Sequence, residues 1–402
     1  MPRSRVDPPQ ADHRARDIAL SRGLKARCGI LRLSRFLAVD VEATIRSIVR
    51  HFLQPRSDGM QRFVSSRPKT LSLPDKLILA CAVLIAVAVT SFATPALAQA
   101  TWRMVTEYPQ NNISGTGLAT FARLVSARTG GALSVTIAFD NEARITSGDM
   151  PRAAKEGLIS GGDAFAGALT RLDAVFGLPT LPFVVQSADV ARTVNRRARP
   201  LYEQALRTQG LKLLYLTIWP ATGLWSEQPL LVHDDLAHLK LRTYDDSSTA
   251  VMRAAGASAE FLPLNEAIAG LKEHRLNAFL TSGDGGAGRK LWDYLPHFTA
   301  INYAMPVSLA FVRTADFEAL PDTLKGEVEA AAAETEQSQF DLLVNRSSEN
   351  YARMRANGVS VAEPAPAALI ATLRQAATAP IAAWKARNSS VAVEIVEWAT
   401  KQ

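Results

Sequence analysis

One helical pattern near the end of the chain limits the architectures that this sequence can adopt. It opens at Pro321, contains no glycine or proline from Glu327 to Ala356, and stops at Asn357-Gly358. At 1.5 Å per residue, the 36 positions from Pro321 to Ala356 span about 54 Å, which exceeds the width of one small domain. The sequence therefore predicts that one long helix contacts two domains.

The chain before this helix alternates between apolar runs and helical patterns. The first unit is a strand at 102–106 and a helix whose apolar residues at 118, 121, 122 and 125 follow i, i+3, i+4, i+7 spacing, stopped by Gly130-Gly131. Further strands are predicted at 133–137, 164–168, 211–217, 239–242, 260–262, 278–281 and 307–312. This alternation indicates an α/β protein with mostly parallel sheets.

Residues 1–98 differ from the rest of the chain in charge and hydropathy. They carry 16 Lys and Arg against 7 Asp and Glu, whereas residues 99–402 carry 29 against 31. Lys76 precedes an uncharged apolar run of 13 residues, and Ala96-Leu97-Ala98 follows as a small-residue cleavage site. We expect a secretory signal removed before Gln99 rather than a transmembrane anchor, because a span needs about 20 residues. Met60 would begin a signal of conventional length, so residues 1–59 are expected to be untranslated or an unstructured extension.

Cysteine usage and charge exclude several classes of function for the exported part of the chain. Cys28 and Cys81 both lie before Gln99, which excludes disulfides, Cys-ligated zinc, iron–sulfur clusters and a cysteine nucleophile from residues 99–402. The near balance of charge there argues against a nucleic-acid-binding surface. A cysteine-free, slightly acidic exported protein of this size is typical of the bacterial periplasm.

Candidate binding residues follow the predicted strands, where open α/β sheets place their pockets. Arg242 closes the strand 239–242, and it is either a structural arginine or a guanidinium that holds a carboxylate through two parallel hydrogen bonds. Trp219 and Trp225 either wall a cavity or form a satellite core. Asn111 and Asn112 either donate to a ligand or form a plain turn.

A glycine-rich segment follows the strand at 278–281. It reads Thr281-Ser282-Gly283-Asp284-Gly285-Gly286, which fits a close backbone approach or an anion nest. The segment lacks the Gly-Lys-Ser/Thr of a phosphate loop, so a nucleotide site is not predicted.

Enzyme templates fit the chain poorly. The histidines of residues 99–402, at 233, 238, 274 and 297, stand in no His-Glu-x-x-His pattern, and no Gly-x-Ser-x-Gly is present. His233 and His238 lie in a charged loop and are interpreted as solvated, so we predict no metal site and no cofactor. Glu266 and Asp284 form a possible acid and base pair, although any chain of this length offers such pairs.

Three stretches resemble the signature of the TRAP-transporter solute-binding receptors, the C4-dicarboxylate-binding family. They lie at 235–242, 254–258 and 262–271 and read DLAHLKLR, AAGAS and LPLNEAIAGL. In that family a Leu-Lys-x-Arg strand supplies the ligand-binding arginine, a Gly-Ala-x-Pro segment follows, and a Glu-x-x-x-Ala-Leu helix leads into the next pocket strand. The similarity extends over nearly all of residues 101–390.

The resemblance implies a two-lobed periplasmic-binding-protein clamshell, an α/β fold with a long C-terminal helix that spans both lobes. We expect lobe I at 99–221 and 307–347, and lobe II at 222–306 and 348–402. The implied function is that of a periplasmic receptor that is not an enzyme. It would bind a small organic acid and deliver it to the membrane permease subunits of a TRAP transporter, with no nucleic acid as partner.

The resemblance also implies roles for individual residues. Arg242 would bind a carboxylate, and Thr281 would occupy the position of a polar pocket residue, while Asn111, Asp163, Trp219 and Tyr244 would line the cleft. Asn112, Ser282 and Asp284 complete our candidate ligand residues. Family members that take dicarboxylates often have a second arginine about 20 residues before the first, and this chain has Thr-Gly-Leu at 222–224. A single carboxylate is therefore favoured, and a dicarboxylate stays open.

Two alternatives are kept. The first is a periplasmic ligand sensor that presents its closed form to a signalling receptor. The second is a secreted hydrolase or lyase that acts on a carboxylate substrate with Asp163, Glu266 or Asp284.

Overall fold

The computed structural model describes residues 100–402. The predicted signal peptide, the extension before it and the start proposed at Met60 lie outside the described residues. The strands of residues 100–402 are β1 (Ala100–Thr106), β2 (Leu133–Ala138), β3 (Gly161–Phe165), β4 (Leu211–Ile218), β5 (Thr222–Ser226), β6 (Lys240–Thr243), β7 (Ser258–Phe261), β8 (Ala278–Ser282), β9 (His297–Thr299), β10 (Val307–Arg313) and β11 (Ser360–Ala362).

Helices connect most of these strands and end the chain. The α-helices of residues 100–402 are α1 (Ile113–Arg128), α2 (Met150–Lys155), α3 (Ala188–Arg207), α4 (Asp246–Ala254), α5 (Leu264–Lys272), α6 (Gly283–Gly288), α7 (Thr314–Glu318), α8 (Asp322–Ala356), α9 (Ala367–Ala386) and α10 (Ser390–Ala399). No helix within 100–402 is both long and apolar enough to cross a membrane.

The strands form two sheets of mixed direction. The first sheet has the order β2-β1-β3-β10-β4, and the second has the order β11-β9-β5-β8-β6-β7. Five strand pairings in residues 100–402 are parallel, and four are antiparallel. All four antiparallel pairings involve β5 or β10, the two strands by which the chain crosses between the sheets. The α/β prediction is confirmed, and the expectation of mostly parallel sheets holds only outside these crossing strands.

Apolar side chains cover both faces of the first sheet. One face packs on α1 and α8 through Trp102, Phe121 and Tyr215. The other face packs on α2 and α3 through Tyr202 and Phe311. Helices on both faces are what a sheet built from βα units needs, because each face must be removed from water.

The second sheet is covered in the same way. Leu241 and Val251 pack with Leu369 of α9 on one face, and Trp225 and Phe279 pack with residues of α5 and α8 on the other. The two sheets are therefore the centres of two separate apolar cores, which join where long helices pass from one to the other.

The long helix α8 has 35 residues and begins one residue after Pro321. Val328 and Ala331 pack in the core of the first sheet, whereas Tyr351 and Met354 pack in the core of the second. The prediction that one helix contacts two domains is confirmed.

The last two helices return across the molecule. In α9, Leu369 packs in the core of the second sheet, and Trp384 packs in the core of the first, where its indole N–H donates to the Ala174 carbonyl at 2.8 Å. Helix α10 packs on α3, and Ile395 and Val396 belong to the core of the first sheet. The lobe boundaries stay a prediction, although α10, which we assigned to lobe II, packs with lobe I because its apolar face covers α3.

Candidate functional site

A cavity lies between the two sheets, and both sheets supply its walls. It encloses about 50 Å³. We call it the inner cavity; its lining residues are Tyr108, Phe165, Trp219, Thr222, Arg242, Tyr244, Leu264, Thr281, Ser282, Gly285 and Pro306. A larger cleft of about 390 Å³, here the outer cleft, shares the walls Tyr108, Phe165, Arg242, Tyr244 and Leu264. Most of these residues follow the carboxyl ends of strands, as expected for an α/β protein.

Arg242 lies in β6 and is only 7% exposed. Its Nε donates to the Leu262 carbonyl at 3.0 Å, and its Nη1 donates to the Leu280 carbonyl at 3.3 Å. These two carbonyls hold the plane of the guanidinium and use two of its five N–H groups. The guanidinium forms no direct ion pair with any acid of residues 100–402, although Glu107 and Asp245 act on it electrostatically.

Burial lowers the pKa of Arg242, and the nearby side chains of Tyr108 and Glu107 oppose that shift. An arginine remains protonated in proteins, so the side chain keeps its charge in this apolar setting. A buried charge is costly unless it is paired and hydrogen-bonded. A bound anion would supply the missing partner.

Aromatic rings form two sides of the inner cavity. Tyr108 and Trp219 contact each other with ring centroids 4.7 Å apart, and Phe165 and Tyr244 contact at 5.3 Å. The Trp219 indole N–H donates to Ser308 Oγ at 2.9 Å, which fixes the orientation of the ring. These apolar faces suit a small ligand with a flat or cyclic skeleton.

Hydroxyl groups form a polar side of the same cavity. Burial raises the pKa of Tyr244 well above its ordinary value, so its hydroxyl stays neutral. Thr222 lines the same cavity, and its side chain interacts with this hydroxyl and opposes the shift. Thr281 and Ser282 end β8, and Ser282 Oγ accepts from the Gly285 N–H at 3.1 Å. A Cβ on Gly285 would lie 2.5 Å from Thr281 Oγ1, so glycine keeps this side of the cavity open.

Glu107 lines the outer cleft and was missed in the sequence analysis. It directly follows β1 and is 7% exposed. One carboxylate oxygen accepts from the Ser147 backbone N–H at 2.6 Å. Burial raises the pKa of Glu107, and Ser147, Arg242 and Arg289 oppose the shift. The rule that found Arg242, a charged residue at the carboxyl end of a strand, would also have found Glu107.

Sequence comparison decides the family. The profile of the bacterial extracellular solute-binding protein family 7, also called DctP, matches residues 104–386. The chain belongs to this family. Its members are solute-binding receptors and not enzymes, and the resemblance drawn from the sequence is confirmed.

Solved structures of bacterial solute receptors have a similar fold. An extracytoplasmic solute receptor of Bordetella pertussis that binds pyroglutamic acid is 24% identical, with 75% of this chain and 99% of that chain covered and a TM-score of 0.71. A marine metagenome TRAP solute-binding protein specific for pyroglutamate is 24% identical, with 76% and 100% covered and a TM-score of 0.70. A TRAP periplasmic protein of a Sulfitobacter species with bound β-D-galacturonate is 15% identical, with 75% and 100% covered and a TM-score of 0.68. A search of curated proteins finds no match.

The structure brings together five of the ligand residues predicted for this receptor. Arg242, Tyr244, Trp219, Thr281 and Ser282 all line the inner cavity. The four other candidates line neither the inner cavity nor the outer cleft; they are Asn111, Asn112, Asp163 and Asp284.

Asp284 does not line the cavity, because its carboxylate instead contacts the beginning of α1 and residues of α8. Its side chain is 1% exposed, and Oδ1 accepts from Arg346 Nε at 2.6 Å and from Asn350 Nδ2 at 3.2 Å. Its Oδ2 accepts from the Ile113 N–H at 2.7 Å, at the beginning of α1. The glycine-rich segment, for which we predicted a close backbone approach or an anion nest, forms the short helix α6, and Asp284 contacts α8 and the beginning of α1.

Asn111 and Asn112 form structural hydrogen bonds at the beginning of α1, close to the contacts of Asp284. Asn112 Oδ1 accepts from the Gly115 N–H at 3.1 Å and caps α1. Asn111 accepts from Arg346 Nη2 at 3.0 Å through its backbone carbonyl. Turn and cap chemistry, the alternative that we left open, is the one observed for Asn112.

Asp163 lies inside the core of the first sheet. Its side chain is fully buried and accepts from Ser114 and, at 3.4 Å, from Thr106 Oγ1. Burial raises its pKa to about 7. The carboxylate lines neither the inner cavity nor the outer cleft, so the ligand role of Asp163 stays a prediction.

The enzyme alternative also lacks a site. Asp163 and Asp284 lie outside the cavity walls, and Glu266 is exposed on α5. Within the described part of the chain, no three His, Cys, Asp or Glu side chains are close enough to hold a metal ion.

Proposed function

We propose that this receptor binds a small organic acid in the inner cavity and that Arg242 holds the acid's carboxylate. The observation that carries the proposal is the buried guanidinium of Arg242, which is fixed by two carbonyls and has no acidic partner in residues 100–402. Three N–H groups of the guanidinium remain for a ligand. A carboxylate matches this planar fork in charge and geometry.

The expected affinity is compatible with this contact. A dissociation constant of about 1 μM corresponds to about −8 kcal/mol. Each hydrogen bond to a charged group contributes about 1.5 to 3 kcal/mol, so two of them account for a large part of that value. Contact with the faces of Tyr108 and Trp219 would supply most of the rest.

The acid has one carboxylate. Arg242 is the only charged residue among those that line the inner cavity. A second carboxylate there would be buried without a cation, which is costly. The acids named for the neighbouring receptors of Bordetella pertussis and Sulfitobacter, pyroglutamic acid and galacturonate, each carry one carboxylate. This supports a monocarboxylate over a dicarboxylate.

The bound acid is delivered to the permease subunits of a TRAP transporter in the inner membrane. Family membership supports this role, and the sequence before Gln99 supports export to the periplasm by a cleaved signal. The sensor alternative differs only in the partner of the closed receptor. Capture of the ligand-bound receptor on permease subunits in membranes would support transport, whereas capture on a receptor kinase would support sensing.

A thermal-shift experiment tests the proposal. The protein is exported, purified from the periplasm, and mixed with pyroglutamate, galacturonate, lactate, propionate or succinate. A ligand that binds only the folded state raises the melting temperature. We expect one or more monocarboxylates to raise it and succinate to have no effect. Failure of all the monocarboxylates, or a larger shift with succinate, would contradict the proposal.

A further inference from the structure

Two buried side chains of opposite charge line the outer cleft. They are Arg242, at the end of β6 in the second sheet, and Glu107, at the end of β1 in the first. Each is 7% exposed. The other charged residues of the cleft, Asp149 and Arg171, are more exposed, and Asp149 is paired with Arg152 at 3.1 Å. A solute that extends from the inner cavity into the outer cleft therefore meets two buried charged side chains of opposite sign, Arg242 and Glu107, supplied by different sheets.

Glu107 is held in place by its neighbours. Its carboxylate accepts from the Ser147 N–H at 2.6 Å. Its backbone carbonyl accepts from Arg289 Nη2 at 2.8 Å, while the Arg289 side chain forms its ion pair with Asp140. No Lys or Arg in residues 100–402 forms an ion pair with the Glu107 carboxylate. Glu107 is thus a buried side chain whose carboxylate is fixed by Ser147 and forms no direct ion pair within residues 100–402, although Arg242 and Arg289 act on it electrostatically.

The sign of Glu107 determines which part of a ligand it meets. A second carboxylate beside Glu107 would repel it, so the carboxylate of the acid belongs at Arg242. A carboxylate at Glu107 accepts hydrogen bonds and donates none when ionised. The part of the ligand near Glu107 must therefore offer an N–H or O–H group.

We propose that Glu107 is a specificity-determining residue that accepts a hydrogen bond from an N–H or O–H of the bound acid. The receptor then selects monocarboxylates that carry such a donor, such as lactams, hydroxy acids and sugar acids, over acids that lack it. This inference rests on the proposed function, because it takes a carboxylate at Arg242 as given. Polar sites reject an analogue without the matching donor strongly, since a buried acceptor is left unpaired.

Isothermal titration calorimetry on the full processed receptor tests the inference. Each acid that binds is compared with the analogue in which its N–H is replaced by O or its O–H by H. For pyroglutamate the analogue is 5-oxotetrahydrofuran-2-carboxylate, and for lactate it is propionate. We expect the donor-bearing acid to bind at least tenfold more tightly to the wild type.

The variant Glu107→Gln tests whether this side chain causes the difference in affinity between each acid and its analogue without the donor. Glutamine keeps the shape and an oxygen for the Ser147 N–H, so the local fold is retained, but it removes the negative charge. We expect the ratio to fall to less than threefold. Asp316→Asn is the control, because it removes a partly buried carboxylate that is paired with Arg313 and lines neither the inner cavity nor the outer cleft; the ratio there should equal that of the wild type.

The outcomes separate the inference from the function on which it rests. Equal affinities within the pairs, an unchanged ratio in Glu107→Gln, or a tightest-binding acid without any N–H or O–H donor would overturn the role of Glu107 and leave Arg242 binding intact. Absence of binding by every acid would overturn the proposed function itself. If Glu107→Gln fails to fold, the wild-type ratio still decides whether a donor is required.

Discussion

The carboxylate of Asp284 lies 2.6 Å from Nε of Arg346, and its side chain is 1% exposed. The other oxygen of Asp284 accepts from the Ile113 N–H. One buried carboxylate therefore connects α6, which follows the second sheet, with the beginning of α1 beside the first sheet and with the middle of α8. The contact thus joins elements that pack on both sheets.

The variant Asp284→Asn tests this connection. Loss of the charge leaves Arg346, which is 18% exposed, without its partner, and breaking one side of a buried pair is strongly destabilising. We expect the free energy of unfolding at pH 7 to fall by about 2 to 4 kcal/mol in urea titrations. The control is Asp322→Asn, whose ion pair with Lys325 is at the surface and should change stability by less than about 0.5 kcal/mol. Equal effects of the two changes would refute the structural role of Asp284.

The buried Asp163 makes stability depend on pH. Its pKa is raised from 3.8 to about 7 in the folded protein, so the folded state prefers the protonated form. The stability that this group contributes is fully present below pH 3.8 and is lost as the pH rises through about 7. Asp163→Asn removes this dependence because the amide does not titrate.

The measurement is urea unfolding of wild type and Asp163→Asn from pH 4 to pH 8. The stability of the wild type relative to the variant should fall with rising pH, by up to about 4 kcal/mol. Glu107 and Asp245 also have raised pKa values, but they are present in both proteins and cancel in the difference. A difference that is constant with pH would show that Asp163 titrates normally.

Substitution of alanine for two different glycines should change the free energy of unfolding in opposite directions. A Cβ on Gly286 in α6 would lie 2.5 Å from Nε1 of Trp225, a fully buried ring packed on Phe298. Gly286→Ala should lower the free energy of unfolding by about 1 to 3 kcal/mol through overpacking. A Cβ on Gly326 in α8 meets nothing within 4 Å, so Gly326→Ala should raise it by about 0.5 to 1 kcal/mol. Thermal unfolding of both variants checks the two signs.

The sequence was most informative where a pattern is long or local. The helix α8 was predicted to within a residue because Pro321 marks its beginning, Asn357-Gly358 marks its end, and no glycine or proline lies between Glu327 and Ala356. The strand β3 was predicted at 164–168 and lies at Gly161–Phe165. Its first two residues are glycines, which suggest a loop, yet a Cβ on Gly161 would lie 2.9 Å from Val312 Cα of the paired strand β10. The glycine is therefore a consequence of strand pairing that only the tertiary structure reveals.

The strand β5 was missed for a similar reason. All of its residues, Thr222–Ser226, are buried, so the strand lacks the alternation of apolar and polar residues that identifies a half-buried strand. The strands β9 and β11 have three residues each, too few for any pattern.

Whether the surroundings of a candidate ligand residue could be predicted depended on how far apart in the sequence its contacts lie. The positions of Arg242 and Thr281 in the cavity wall could be predicted because both lie near the carboxyl ends of strands that local patterns predict. The contacts of Asp284 could not be predicted, because its partner Ile113 is 171 residues away in the chain and no local spacing reports that contact.

Calorimetric titration of Arg242→Lys tests the central claim most directly. The acid that gives the largest thermal shift with the wild type is titrated into wild type, Arg242→Lys and Arg242→Gln, each shown to be folded by circular dichroism. A lysine keeps the charge but has no planar fork. We predict that both variants bind the acid at least a hundredfold more weakly than the wild type. Wild-type affinity in a folded Arg242→Lys or Arg242→Gln variant would contradict the proposal that Arg242 holds the carboxylate.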